Sequence, residues 1–393
     1  MIKRDDYLEK IISSSGLNVI KVITGVRRCG KSTLLRLFRH YLEEQGVRSK
    51  QIQHINFEDL DNENLTEYRA LHSHLKNNLQ SDFMNYIFLD EIQRVEGFEK
   101  VLDSLFLLEN VDIYVTGSNA YMLSGELATY LSGRYIEIHM FPLSFKEYYG
   151  HFGGEKLAMF NKYSAFGGFP YASIIESETS YLSYIQGIIN TVLVKDVLSR
   201  KQRSDSQLVE RLAAFLTDTS GSLINIKKIA DTLTSMGKKT SSDTVSSYLQ
   251  SFEEAFLFYK CDRFDMAGKR LLTINSKYYP CDQSLRRGLL GSKRPNFGRS
   301  LEGIVFLELI RRGYEVYVGN YGEIEIDFIA VKNGVTEYYQ VSKTLTDEVT
   351  YSREIAGFKK LKDNYRKILL SEDYGNYNDE GIEQINVIDW LLE

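Results

Sequence analysis

The sequence predicts an α/β fold whose first 150 residues form a doubly wound parallel sheet, followed by further modules. Segments typical of strands and of helices alternate between residues 18 and 138, which is the order that builds such a sheet. The strand segments are short, nearly continuous apolar runs, as in strands covered on both faces. Glycine pairs at 153–154 and 167–168 then interrupt the alternation, so we place the end of the first domain at residue 150.

A glycine-rich segment lies between the first predicted strand and the helix after it. Residues 25–32 read GVRRCGKS, which matches the P-loop pattern G-x-x-x-x-G-K-S, between the β-branched run NVIKVIT and the helical pattern TLLRLFR. In this motif, backbone N–H groups and the helix start hold phosphate oxygens, Lys31 adds a full positive charge, and the Ser32 hydroxyl ligates Mg²⁺. The sequence therefore predicts a bound nucleoside triphosphate with Mg²⁺. The candidate binding residues are Gly25, Val26, Arg27, Arg28, Cys29, Gly30, Lys31, Ser32 and Thr33.

Two acidic residues end a later apolar strand. Residues 86–91 read YIFLDE, which fits a buried parallel strand that delivers carboxylates to the carboxyl end of the sheet. Asp90 is the candidate magnesium ligand, acting through the ion's water shell, and Glu91 is the candidate general base that polarises the attacking water. A carboxylate at position 91 can activate water for hydrolysis. Asp90 and Glu91 therefore predict a catalytic site, with Lys31 as its positively charged residue, rather than a site that only binds nucleotide.

The next predicted strand, residues 111–117, also ends in polar side chains. In ATPases built this way, a polar side chain after this strand senses the γ-phosphate; Ser118 and Asn119 both fit, and we favour Asn119. Arg134 follows, just before an apparent strand at 135–138. Its position suits a sensor within the chain, an arginine finger that completes a neighbouring subunit's site, or a surface salt bridge.

Four stretches together resemble a family of prokaryotic AAA-type ATPases whose core is fused to an uncharacterised C-terminal domain. They read GVRRCGKST, FLDEIQ, TGSNAYMLSGELATYLSGRYIEIHMFPLSFKEYYG and AFGGFPYA, and the resemblance extends from about residue 19 to the C-terminus. LSGR at 131–134 with FPLSF at 141–145 is its most specific part. The resemblance implies an ATP-binding, ATP-hydrolysing cytoplasmic protein, and we expect it to work as a ring or transient oligomer.

Composition agrees with that expectation. The chain has 393 residues, a formal net charge of −5 and 43% hydrophobic residues, so no global basic signal points to nucleic acid. Its three cysteines are too few and too scattered for a disulfide scaffold or a zinc site. It has no run of about 18 apolar residues, and its first ten residues do not read as a signal peptide, so we expect no membrane segment.

The region after residue 150 divides into three predicted modules. Residues 155–220 have a helical apolar stripe that would suit a lid over the nucleotide. Two helices at 226–233 and 241–253 and strand segments at 256–261 and 270–274 are typical of a winged helix-turn-helix. Its second helix is rich in serine and acidic residues, so a protein partner is favoured over DNA. The predicted domains are an AAA-type core at 1–150, a helical lid or linker at 151–221, a winged helix at 222–292 and a nuclease-like module at 293–393.

The last module suggests an α/β fold similar to that of restriction endonucleases. Those enzymes use an acid at one strand end and an acid or glutamine, one residue and a lysine on the next strand to hold metal and activate water. Here Glu302 lies on a predicted helix, Asp327 follows one strand segment and Gln340 lies on the next. The expected lysine position holds Ser342, and Lys343 is expected to point to the opposite strand face. We therefore expect an inactive relative.

The leading hypothesis is a Mg²⁺-dependent ATPase that drives conformational change of its C-terminal modules. One alternative is an ATP-gated switch or scaffold that does not hydrolyse ATP, and Glu91 counts against it. The other is an ATP-dependent DNA-processing or nuclease protein, and Ser342 counts against that one.

Overall fold

The computed structural model describes residues 2–120, 133–198, 205–235, 237, 239–291, 297–322, 324–374, 378–379 and 381–393. The chain forms two compact units. The first comprises Met1–Phe141 with Glu254–Phe256, and the second comprises Pro142–Glu253 with Leu257–Glu393.

The first unit is built on a five-stranded sheet of order β2-β3-β4-β1-β5 in which all neighbouring pairs are parallel. Its strands are β1 (Ile20–Thr24), β2 (Ile52–Asn56), β3 (Asn85–Asp90), β4 (Val111–Gly117) and β5 (Tyr135–His139). The helices between or before them are Asp5–Ser14, Lys31–Glu44, Tyr68–Asn77 and Phe98–Phe106. This arrangement confirms the predicted doubly wound parallel sheet.

Both faces of this sheet are covered, which explains why its strands are nearly continuous apolar runs. Alternate residues such as Val22 and Leu89 pack with helix residues in one buried cluster. On the other face, the rings of Phe38, Phe88 and Tyr114 meet with centroids 4.9–5.9 Å apart. The parallel register aligns the carboxyl ends of β1, β3 and β4, so the segments that follow these strands lie side by side.

The second unit contains an eight-stranded mixed sheet of order β12-β13-β11-β10-β9-β8-β6-β7. Its strands are β6 (Phe258–Asp265), β7 (Arg270–Pro280), β8 (Glu315–Tyr321), β9 (Ile324–Lys332), β10 (Val335–Val341), β11 (Arg366–Ser371), β12 (Asn378–Asp379) and β13 (Ile382–Asn386). Its helices are Phe145–Phe152, Lys156–Phe166, Glu178–Val192, Ser206–Asp218, Ile226–Ser235, Ser242–Glu254, Ser284–Leu290, Phe297–Arg311, Glu348–Lys360 and Val387–Leu392, with a π-helical turn at Leu193–Leu198.

The predicted helix pair and hairpin of the winged-helix module are present as Ile226–Ser235, Ser242–Glu254 and the antiparallel strands β6 and β7. The hairpin differs from the expected isolated wing, because β6 also pairs in parallel with β8. An edge strand has unpaired backbone groups that can accept a further strand, and here β8 takes that place. The hairpin therefore shares a sheet with the nuclease-like module, and the boundary at residue 292 stays a prediction.

Most of the described residues in the predicted lid region are helical. Ile185, Ile188, Ile189 and Val192 are buried on one side of the helix Glu178–Val192, as their spacing predicts. Its role as a lid stays a prediction. Among the described residues, the helices are all too short or too polar to cross a lipid bilayer.

Candidate functional site

The P-loop lies where β1 passes into the helix Lys31–Glu44. Gly25 has φ +141° at the start of the loop, and a Cβ there would lie 2.1 Å from the carbonyl oxygen of Met140. Gly30 caps the helix with φ +113°. Both conformations favour glycine, so the two fixed glycines of the motif are required by this turn. Backbone N–H groups of the helix start are thereby presented to a ligand.

A buried arginine from the N-terminal segment forms hydrogen bonds with the backbone of the P-loop and of a neighbouring segment. The Arg4 guanidinium donates hydrogen bonds to the carbonyl oxygens of Cys29 and Phe141, at 2.9 and 2.7 Å. Only 3% of Arg4 is exposed. The sequence analysis missed this residue, because its partners lie 25 and 137 positions away and no local pattern connects them.

Lys31 points back over the loop. Its ammonium donates to the carbonyl oxygen of Gly25 at 3.0 Å and lies 3.6 Å from Oε1 of Glu91. A guanidinium nitrogen of Arg27 lies 3.3 Å from Glu58 and 3.8 Å from Oε2 of Glu91. Two predicted cations of the loop thus lie beside the predicted base, as expected for a site that binds a polyanion.

The other predicted loop residues differ in exposure. Val26 and Cys29 are buried, and Arg28, with φ +67°, is exposed. Ser32 and Thr33 are half-buried in the first turn of the helix. These positions are compatible with the predicted roles in binding phosphate and magnesium, and those roles stay predictions.

Asp90 ends β3 and is 1% exposed. Its Oδ1 accepts a hydrogen bond from the Thr116 hydroxyl at 2.5 Å, whereas Oδ2 is buried and has no hydrogen-bond partner within the described part of the chain. A buried carboxylate oxygen without a donor fits a hydrated divalent cation, which prefers oxygen ligands. The residues present therefore fit the Mg²⁺ that a P-loop implies.

Glu91 is held from several sides. Its backbone is left-handed, with φ +58°, and its N–H donates to the Thr116 hydroxyl at 2.9 Å. Its Oε2 accepts hydrogen bonds from Gln93 at 2.5 Å and Ser118 at 3.1 Å. Burial alone would raise the pKa of Glu91, but Lys31, Arg27 and these two hydrogen bonds outweigh burial and hold the pKa below its usual value. The carboxylate is therefore ionised at neutral pH.

The polar end of β4 lies between the P-loop strand and the acidic strand, because β4 pairs with both β1 and β3. Ser118 and Asn119 are both buried there. Ser118, rather than the favoured Asn119, donates the hydrogen bond to Glu91. A sensor role for Asn119 stays a prediction.

Arg134 lies at the opposite end of the sheet from the P-loop. Ile20 at the start of β1 donates its N–H to the carbonyl oxygen of Arg134, whereas Thr24 at the end of β1 pairs with His139. Four strand positions separate these ends, about 13 Å at the usual rise of about 3.3 Å per residue. The Arg134 guanidinium pairs instead with Asp103 at 2.5 Å. The salt-bridge alternative is therefore present, and the sensor role within its own chain and the finger role in a neighbouring subunit both stay predictions.

The nuclease-like module has a cleft of about 960 Å³ lined by Glu302, Asp327 and Gln340 among others. Asp327 accepts a hydrogen bond from the N–H of Val341 at 2.9 Å, and its own N–H donates to Gln340 at 3.2 Å. Lys343 is among the residues that line the cleft, but it follows β10, which ends at Val341, so the alternation of a strand does not fix the direction of its side chain. The expected opposite orientation stays a prediction.

A buried lysine from another strand contacts two of the acidic side chains that line this cleft. Lys277 of β7 is 2% exposed, and its ammonium lies 2.9 Å from Glu302 and 2.8 Å from Glu325. No local sequence pattern connects this lysine with Glu302, because the contact joins β7 to the helix Phe297–Arg311. Burial would lower the pKa of Lys277, but Glu302, Asp327 and Glu325 outweigh burial and raise it. Within the part of the chain that the structure describes, no three histidine, cysteine or acidic side chains are grouped to hold a metal ion.

Comparisons with known proteins agree with this architecture. Residues 18–149 match a family model described as an AAA domain, and residues 157–296 match one described as a domain of unknown function. The Walker-type ATPase PABY2304 of Pyrococcus abyssi has a similar fold, with a TM-score of 0.51 and 17% identity, over 74% of this chain and 96% of that one.

Two relatives match along nearly the whole length. An uncharacterized protein of Haemophilus influenzae is 40% identical over 400 residues, covering 100% of this chain and 99% of the relative. The uncharacterized protein MJ1544 of Methanocaldococcus jannaschii is 32% identical over 396 residues, covering 95% and 85%. The chain therefore belongs to a prokaryotic family of AAA-type P-loop ATPases whose core is fused to an uncharacterised C-terminal domain.

Proposed function

We propose that the chain binds ATP with Mg²⁺ at the P-loop and hydrolyses it, with Glu91 as the general base. The observation that carries the proposal is one constellation at the carboxyl end of the sheet. The Lys31 ammonium lies 3.6 Å from Glu91, and next to Glu91 is Asp90 with a buried, unpaired carboxylate oxygen. This combination supplies a phosphate-binding cation, a metal ligand and a base.

Binding begins with the loop. The N–H groups of residues 25–33 and the Lys31 ammonium take the β- and γ-phosphate oxygens, and the ammonium gives up the Gly25 carbonyl to do so. The ion would be held by the Ser32 hydroxyl and Asp90, and it supplies charge neutralisation on the phosphate oxygens. Thr116 keeps Asp90 oriented through its hydroxyl.

Glu91 then accepts a proton from the attacking water. The water oxygen forms a bond to the γ-phosphorus, and the bond from that phosphorus to the β–γ bridging oxygen breaks, which gives ADP and phosphate. Lys31 and Arg27 depress the pKa of Glu91 in the free protein. Because the phosphates recruit these cations, ATP binding raises the basicity of Glu91 where water must be deprotonated.

Phosphate release by the full chain tests the proposal against the non-hydrolysing switch. We expect steady turnover with Mg²⁺ and ATP and none when EDTA replaces the metal. ATP binding without turnover at any Mg²⁺ concentration would move the chain to the switch class.

We further propose that turnover moves the C-terminal modules within an oligomer in the cytoplasm. The family resemblance supports the oligomer, and the three buried, free cysteines support a reducing compartment. The partner is proposed to be a protein rather than DNA, because the helix Ser242–Glu254 carries Asp243, Glu253 and Glu254 and no lysine or arginine. Light scattering with and without ATP, and turnover with and without DNA, test these points.

Lys277 is the observation that favours the nuclease alternative, because its ammonium contacts Glu302. We still propose that the cleft does not cut DNA, since the ammonium is shared between Glu302 and Glu325 where a metal would need free carboxylates. Incubation of plasmid and single-stranded DNA with Mg²⁺ or Mn²⁺ is expected to leave them intact. Cleavage that disappears in Asp327→Ala would overturn this proposal.

A further inference from the structure

Gln93 contacts the base directly, although the sequence analysis gave it no role. It lies in the single helical turn Ile92–Arg94 that follows Glu91. Its Nε2 donates to Oε2 of Glu91 at 2.5 Å and lies 3.3 Å from the hydroxyl of Ser118. Ser118 donates to the same carboxylate oxygen at 3.1 Å. One oxygen of the base is therefore fixed by two neutral donors.

The hydrogen bonds from Gln93 and Ser118 are the contacts to the Glu91 carboxylate that we expect to persist when substrate binds. Lys31 and Arg27 also lie near the Glu91 carboxylate, at 3.6 and 3.8 Å, but phosphate oxygens would recruit both cations. The hydrogen bond to Thr116 fixes only the backbone N–H of Glu91. The direction of the carboxylate in the nucleotide complex therefore depends on Gln93 and Ser118.

The other end of the same amide is an unsatisfied acceptor. Oε1 of Gln93 is buried and has no hydrogen-bond partner among the residues that the structure describes. Buried amide oxygens are rarely left without a donor. A group that binds this oxygen must be a hydrogen-bond donor, and a water molecule can donate one proton to Gln93 and the other to the Glu91 carboxylate.

We propose that Gln93 is the positioning residue of the hydrolytic step, holding the Glu91 carboxylate with Nε2 and the attacking water with Oε1. This inference rests on the proposed ATP hydrolysis. One O–H bond of the water breaks as its proton passes to Glu91, and the oxygen bonds to the γ-phosphorus while the bridging oxygen leaves with ADP. The second water proton stays on the oxygen and donates to Gln93. Two directional contacts thus fix the line of attack.

The test compares two substitutions of Gln93 in the full chain. Gln93→Leu removes both contacts at similar volume, and Gln93→Glu keeps the shape but puts an acceptor against Glu91. Gln53→Leu is the matched control, because Gln53 on β2 also has a buried Oε1 without a hydrogen-bond partner among the described residues, and its Nε2 donates to the carbonyl oxygen of Leu75 in the helix Tyr68–Asn77 rather than to Glu91. Each variant is assayed for kcat and KM, beside Glu91→Gln.

A positioning residue for the hydrolytic step should affect kcat and leave KM nearly unchanged. We expect kcat to fall at least about tenfold in both Gln93 variants, with KM within about twofold of the parent. Gln53→Leu should behave as the parent.

The outcomes separate this inference from the function on which it rests. If Glu91-dependent turnover is present but both Gln93 variants keep the parent's kcat, the inference is wrong and the proposed function stands. A raised KM at unchanged kcat also overturns it, since Gln93 would then act in binding. Absence of Glu91-dependent turnover in the parent overturns both, because no hydrolytic step would exist to position.

Discussion

The ammonium of Lys31 lies 3.6 Å from Oε1 of Glu91, which joins the P-loop to the end of β3. These strands are not neighbours, because β4 lies between them in the sheet. The two residues meet because parallel strands present their carboxyl ends at one edge, where open α/β sheets bind ligands. In the free protein the Glu91 carboxylate therefore contacts the same ammonium that we propose binds phosphate.

Replacement of Lys31 should abolish ATP binding. Lys31→Ala removes the buried cation that faces the phosphates, and calorimetry should detect no ATP binding at concentrations that saturate the parent. Lys50→Ala, at an exposed position in the turn Ser49–Gln51, is the control and should bind normally. Unchanged affinity in Lys31→Ala would disprove the P-loop assignment.

Thr116→Val should impair both stability and turnover. The valine keeps the shape but leaves Asp90 Oδ1 and the N–H of Glu91 without their shared hydroxyl. An unsatisfied buried polar group costs about 1–3 kcal/mol, so chemical denaturation followed by circular dichroism should show a loss in this range. Phosphate release should fall as well, because both acids lose their orientation. A fully stable, fully active variant would show that the hydroxyl does not orient them.

Arg134→Ala should leave ATP affinity unchanged, because Arg134 lies at the amino end of β5 and pairs with Asp103. If it acts as a finger in a neighbouring subunit, the variant should have lower turnover. Mixing it with Asp90→Ala should then restore activity in hybrid oligomers, since some sites would have both an intact Asp90 and a donated arginine. Hybrids that form without regaining activity would rule out the finger.

The second unit should lose stability as pH rises. Burial, and next the charge of Glu302, raise the pKa of Asp327 from 3.8 to about 8. The folded state then binds more protons than the unfolded state between these values, so the free energy of unfolding falls across that window. Trp390 is the chain's one tryptophan and lies in this unit, so its fluorescence can follow unfolding at pH 5 and pH 8. Asp327→Asn should flatten the decline, and an equal decline in both proteins would refute the assignment.

The sequence predicted the features that depend on local pattern. The P-loop follows from the spacing of Gly25, Gly30 and Lys31, and the acids follow from an apolar run that ends in two carboxylates. The position of Arg134 could also have been predicted. A residue that precedes a parallel strand lies at the opposite edge from residues that follow one, and Arg134 directly precedes β5.

The remaining site residues could not be found this way. Arg4, Thr116 and Lys277 act through contacts between segments that are 25 or more positions apart in the chain. Such contacts depend on strand order and register, and no periodicity in one sequence specifies them. Gln93 lies two positions from its partner, but its role depends on the turn that points its amide at the carboxylate.

Phosphate release by Glu91→Gln is the decisive measurement of whether Glu91 is the general base. The amide keeps the size of the side chain but cannot accept the water proton, so turnover should fall at least about a hundredfold. ATP affinity should be retained or increased, because the carboxylate no longer competes for Lys31. Glu43→Gln, an exposed helix position paired with Arg39, serves as the control. Turnover equal to the parent's in Glu91→Gln would contradict the account, because hydrolysis would then need a different base.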